Sequence, residues 1–151
     1  MTLRRVRWRL VAVVAVVALA GGVVVASLPA TAEDYRDAAV TDARDAASAV
    51  GTAALLGDHS DRAPGTFTDA ALSDARDGVT AALGDVADLD VPDDASRELR
   101  DRLLPLLHRA VAAIGDASRA AGDGDSATLE DAVTRLRDVH SALDDFVRSA
   151  S

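Results

Sequence analysis

The chain contains no cysteine and no lysine, and only 3% of its 151 residues are aromatic. Without cysteine there is no disulfide framework, thiolate zinc site, cysteine nucleophile or lipid anchor through an N-terminal cysteine. All 16 basic residues are Arg, so the lysine that a phosphate-cradling glycine loop needs is missing, as is the loop itself. No GxSxG, HExxH or dinucleotide fingerprint occurs, and the reading is that the chain is not an enzyme. Scarce aromatics leave any core to Ala, Val and Leu, which bury less area per residue at about 25 cal/mol per Å². An apolar share of 49% with 27% charged residues nevertheless argues against a wholly disordered chain, and the length suits one domain.

The net charge of −9 averages two unlike segments. Residues 1–32 hold Arg4, Arg5, Arg7 and Arg9 and no acid, whereas residues 33–151 hold 12 Arg against all 25 Asp and Glu, a formal −13. An uncharged run at 10–28 follows the basic head. At about 1.5 Å per residue it reaches roughly 28 Å, close to a bilayer's hydrocarbon thickness of about 30 Å. Basic residues before the run and Glu33, Asp34 and Asp37 after it keep the N-terminus cytoplasmic and send the remainder outward. Pro29-Ala30-Thr31-Ala32 also supplies the small-x-small pattern of a signal-peptidase site, with cleavage after Ala32. Residues 1–32 are therefore a signal peptide or a signal anchor. The expected location of 33–151 is the outer face of the cell membrane, or the exterior after cleavage.

Beyond residue 33 apolar residues recur at helical spacing, with no alternating strand-like runs. The expected architecture is all-α: an antiparallel four-helix bundle, up-down-up-down, preceded by the N-terminal hydrophobic export or anchor helix. The helices are expected at about 33–56, 66–87, 93–121 and 126–148. The first carries Tyr35, Ala39, Ala46, Val50 and Ala53 on one side and stops at Gly57. A capping box, Thr66-x-x-Asp69, is expected to open the second, whose seam is Leu72, Ala75, Val79, Ala82, Val86 and Leu89. The third, with Pro92 near its first turn, has the seam Leu99, Leu103, Leu106, Ala110, Ala113 and Ala117, and Pro105 predicts a kink near Arg102. Gly122-Asp123-Gly124-Asp125-Ser126 separates it from the fourth, with Leu129, Val133, Leu136, His140, Leu143 and Val147 in heptad register. Ion pairs at i, i+4 are expected for Glu98 with Arg102, Asp131 with Arg135 and Asp144 with Arg148. Residues 39–45, 71–77 and 132–138 resemble one another, a likeness that biased Ala, Asp and Arg usage explains.

Three histidines exhaust the supply of imidazole. His140 lies on a seam and is expected to face the core or its edge, where a buried neutral ring would make the bundle acid-sensitive. His108 points to the polar face, and His59 lies in the first loop beside Asp58 and Asp61. The calcium-loop pattern begun by Asp123 and Asp125 fails at Thr128 and Thr134, where Gly and Glu are needed, and Asp88, Asp90, Asp93 and Asp94 suit helix caps and turns. No catalytic, cofactor-binding or metal residues are assigned. Nucleic acid is disfavoured at −13 with Arg and Asp interleaved.

Residues 33–50, directly after the apolar run, are similar to the juxtamembrane helix of actinobacterial Mce-associated membrane proteins. The similarity covers this stretch alone, and the strands of their folded domain are missing here. The expected function is a non-enzymatic interaction or structural module of the cell envelope. It would bind a protein partner or a second copy through its heptad seams, and the membrane through 10–28 if uncleaved. A ligand- or metal-responsive sensor or carrier built on His140, His59 and the Asp-rich loops is the alternative.

Overall fold

The computed structural model describes residues 31–59 and 65–151. The apolar run 10–28 and its flanks to residue 30 lie outside the described residues, as does the middle of the first loop. Four helices make up the unit Thr31–Ser151: α1 (Ala32–Asp58), α2 (Gly65–Asp88), α3 (Asp94–Asp123) and α4 (Ser126–Ala150). Among the described residues there is no strand, and the helices pack as a bundle.

The helix ends follow from short polar side chains that satisfy otherwise unpaired backbone groups. Thr31 caps α1 in a capping box with Asp34, the hydroxyl accepting from the Asp34 N–H at 3.1 Å while the Asp34 carboxylate accepts from the Thr31 N–H. Asp93 caps α3 by accepting from the Ser96 N–H at 2.7 Å, and Asp125 caps α4 by accepting from the Thr128 N–H at 3.1 Å. Between α3 and α4 the chain turns at Gly124, whose φ of 68° is the left-handed conformation that a side chain would oppose. There the N–H groups of Gly124 and Asp125 donate to the carbonyls of Ala121 and Ala120, the two bonds of a Schellman motif.

Two expected signals sit elsewhere. Helix α2 starts at Gly65, so Thr66 lies inside its first turn instead of capping it, and Pro92 precedes the Asp93 cap instead of entering α3. Helix α3 is continuous through Pro105. That residue is on the exposed side, where water reaches the Asp101 carbonyl that the ring deprives of its donor.

Each helix touches the next, α4 returns to α1, and α1 crosses the middle to α3; α2 and α4 do not meet. Contacts along α1 and α4 run in opposite order: Gly57 lies against Val133, Gly51 against His140, and Ala32 shares a cleft with Ser149 and Ala150. The core is small-grained: among the described residues 13 of its 28 members are Ala, and six of these are in α1. Small side chains gain little individually, so burial depends on how closely the backbones approach. The three similar heptapeptides present the same pattern inward, burying Val40 and Ala43, Leu72 and Ala75, and Val133 and Leu136.

In α4 the buried residues are Ala132, Val133, Leu136, Val139, Leu143, Phe146 and Ala150, with Leu129, His140 and Val147 only partly covered. The stripe is thus rotated from its expected centre. The expected i, i+4 pairs are also replaced. Arg102 stacks over the Phe146 ring, Arg135 reaches across to Asp116 at 3.5 Å, and Arg148 pairs with Asp145. Each alternative offers a long exposed side chain an apolar surface or a nearer carboxylate.

Gly57 does not end α1. It is buried within the last turn, and a Cβ there would stand 2.3 Å from the Val133 Cγ2, closer than packed carbons come. Gly57→Ala should destabilise the bundle by about 1–3 kcal/mol. Gly115→Ala, which points into open space, should stabilise it by about 0.5–1 kcal/mol. Chemical denaturation of the two variants beside the parent checks the contrast, and equal effects would contradict it.

Candidate functional site

The polar groups of the bundle fall into four places. The first is His140, on the α4 edge that faces α1. Its Nδ1 lies 2.9 Å from the Ala47 carbonyl oxygen, and because a carbonyl only accepts, Nδ1 carries the hydrogen. Its Nε2 lies 3.6 Å from Asp144, and the side chain is 40% exposed. The ring passes over Gly51, where a Cβ would lie 3.2 Å from the imidazole. His140 is therefore a helix-to-helix tie at the bundle edge. His140 thus lies at the edge of the core, one of the two positions its place on the seam allowed, partly exposed and with the Asp144 carboxylate near its second nitrogen.

The structure does not bring the histidines together. His59 caps the end of α1 with Nδ1 on the Leu55 carbonyl, about two helical turns, roughly 12 Å, beyond Gly51. His108 is exposed on α3. The Asp-rich turns form the second place, and three of their carboxylates, those of Asp93, Asp94 and Asp125, are already engaged. Asp93 is held below the usual carboxylate range by its hydrogen bonds with Ser96. Asp125 is held low in the same way by the Thr128 hydroxyl and then its N–H, while Asp94 pairs with Arg97. Among the described residues no group of three His, Asp or Glu is arranged to hold a metal ion.

The third place is a cleft of about 340 Å³ where the starts of α1 and α3 meet the end of α4. Arg36 and Arg102 line it with Ser96 and Ser149, but Asp93 and Glu98 line it too. The guanidinium groups are thereby matched, leaving no net attraction for an anion. Deeper, at the contact between α1 and α3, Tyr35 is 1% exposed and its hydroxyl has no hydrogen-bond partner; the Arg100 Nε lacks one too, with Asp101 at 3.9 Å as its ion-pair partner. Burial raises the Tyr35 hydroxyl above its ordinary pKa, so the phenol stays neutral.

The fourth place is the seam between α1 and α2. Asp42 is half-buried there, and its carboxyl is pushed up to about 6 by burial first, then by Asp85 of α2, then by Asp45 one turn on. The sequence reading did not single out this group. The available signal was register: Asp42, Ala49 and Leu56 lie seven apart, beside the Ala43 and Ala46 line that enters the core.

No protein-family model, curated protein or solved structure matches this chain.

Replacing His140 by Ala removes a part-buried hydrogen bond between helices. It should cost about 0.5–1.5 kcal/mol without changing the thermal response to zinc or calcium. A variant that lost a metal-induced rise in Tm present in the parent would show that His140 is a ligand and not a tie.

Proposed function

We propose that the chain is a membrane-tethered, non-enzymatic four-helix bundle, wound up-down-up-down, that works outside the cell membrane by binding a protein partner through a helical face. The single observation that carries this reading is the outward face of α2. This helix packs on α1 and α3 but not α4, and it presents Phe67, 58% exposed, on one stripe with Ala70, Asp74, Gly78 and Ala81. An exposed aromatic on small neighbours is an inexpensive anchor for a partner, because little side-chain entropy is lost when it is covered.

The winding is supported by two observations toward one end of the bundle. The starts of α1 and α3 share a cleft with the end of α4, and Asp42 early in α1 feels Asp85 late in α2. Short connections join α2 to α3 and α3 to α4. The tether is supported by the first turn. Cleavage after Ala32 would remove both Thr31, half of the capping box, and the first residue of α1, so retention of residues 1–32 keeps α1 capped. Among the described residues no helix is long and apolar enough to cross a membrane, and the spanning role falls to 10–28.

The absence of cysteine makes one experiment decisive. In intact cells a membrane-impermeant maleimide should label Ser141→Cys, exposed on α4. It should label Ala70→Cys, exposed on the same α2 stripe with Phe67 left in place, at least about tenfold more slowly, and the two should react alike in the purified protein. Labelling of both only after lysis would refute the outward location. Equal labelling of both in intact cells would refute the binding face.

A further inference from the structure

The charges of the bundle are unevenly divided among its helices. α1 carries six acids and two Arg, and α2 carries five acids and one Arg, so each stands at −4; α3 is balanced at five and five, and α4 is at −2. Outside α2, acids and bases meet one another: Asp116 of α3 lies against Arg119 and Arg135, and Asp58 of α1 against Arg137 of α4. No ion pair between described residues involves α2.

The carboxylates of α2 gather on one side of it. Leu72, Ala75, Val79, Ala82 and Val86 enter the core, and the helical period puts Asp74, Asp77, Asp85 and Asp88 on the outer face that bears Phe67. All four are exposed, as are Ala70 and Ala81 between them. Phe67, Asp74, Ala81 and Asp88 stand seven apart, the repeat with which one helix follows another. Arg76, the one base of α2, is about half a turn round from Phe67 and off this face. Internal packing does not call for the two glycines within the helix either. A Cβ at Gly78 or Gly84 would meet nothing within 4 Å, and each weakens the helix relative to Ala. Gly115 of α3 is equally open, but the carboxylate beside it is the paired Asp116.

We propose that this face receives a basic amphipathic helix of the protein partner, apolar where it covers Phe67 and bearing Lys or Arg at intervals of three and four along the roughly 20 Å from Asp74 to Asp88. The inference rests on the reading of α2 as the binding face and adds the chemistry of what binds. Small residues let the partner's backbone approach and its long basic stems lie flat, while the charged heads reach the carboxylates. A neutral or acidic partner would strip water from four Asp without replacing it by a counter-charge. A second copy of the same face would set −4 against −4, and anionic lipid or nucleic acid is repelled on the same ground.

Photo-crosslinking of the full-length protein in intact cells tests this. Benzoylphenylalanine at Ser73, exposed on the edge of the face, should capture a helix-forming, net positive segment that mass spectrometry identifies, and at Ser141 of α4 it should not. Asp74→Asn, Asp77→Asn and Asp85→Asn together should lower the yield of that adduct at least about tenfold. Glu130→Gln, Asp131→Asn and Asp138→Asn, exposed on α4 and equal in net charge change, should leave it within about twofold. Both triple variants should keep the parent's circular dichroism, and the single Asp77→Arg should lower the yield in the same direction. No adduct at Ser73, or the same adduct at Ser141, would overturn the binding face and this inference with it. An adduct confined to Ser73 would overturn the inference alone if its captured segment is neutral or acidic, if it is a second copy of this chain, or if its yield ignores the α2 substitutions.

Discussion

The close approach of α1 to α4 is the contact on which the rest of the bundle depends. A core made largely of Ala cannot be filled by side-chain bulk, so the backbones must come together until dispersion contacts are recovered. Gly57 lets α1 press against Val133, and Gly51 leaves room for the His140 ring to reach the Ala47 carbonyl. The Asp58 to Arg137 pair closes the same edge from outside. α1 and α4 share the most extensive contact in the bundle, and α3 completes a trio through its line of Leu99, Leu103, Leu106 and Leu107.

Seen from that trio, α2 is the helix with the least hold. It lacks contact with α4, has no ion pair among the described residues and shares its border with a helix of the same charge. In a bundle with small total stability such differences decide which element opens first, since local opening costs less where apolar contacts are fewer. The outward stripe around Phe67 and the carboxylates around Asp42 belong to this same helix and its border.

Much of this was legible from residue order. Helical period located all four helices to within a few residues, because Gly, Pro and Asp punctuate them and the apolar positions repeat in threes and fours. The phase of α4 was harder to read. Ala132 and Ala150 weigh little beside Leu129 and Val147 on any hydrophobic scale, yet a close-packed core selects the smaller residues for its centre. Gly57 was misread for a related reason: a glycine near a helix end resembles a stop signal, and only the partner Val133 shows that its value is lack of bulk. Ion-pair choice was not legible at all, because Arg102 and Arg135 each reach several groups and neighbouring helices decide among them. Asp42 escaped notice since its neighbour Asp85 lies 43 positions away in sequence and meets it only once α1 and α2 pack.

Backbone proximity between α1 and α4, at Gly57 and Val133, sustains the fold. A double-mutant cycle measures it directly, since Val133→Ala removes the methyl that the new Cβ of Gly57→Ala would strike and leaves only the Val133 Cβ, at an ordinary 3.8 Å. Gly57→Ala should cost much less in the Val133→Ala background than in the parent, with a coupling of at least about 1 kcal/mol. Strict additivity of the two substitutions would contradict it.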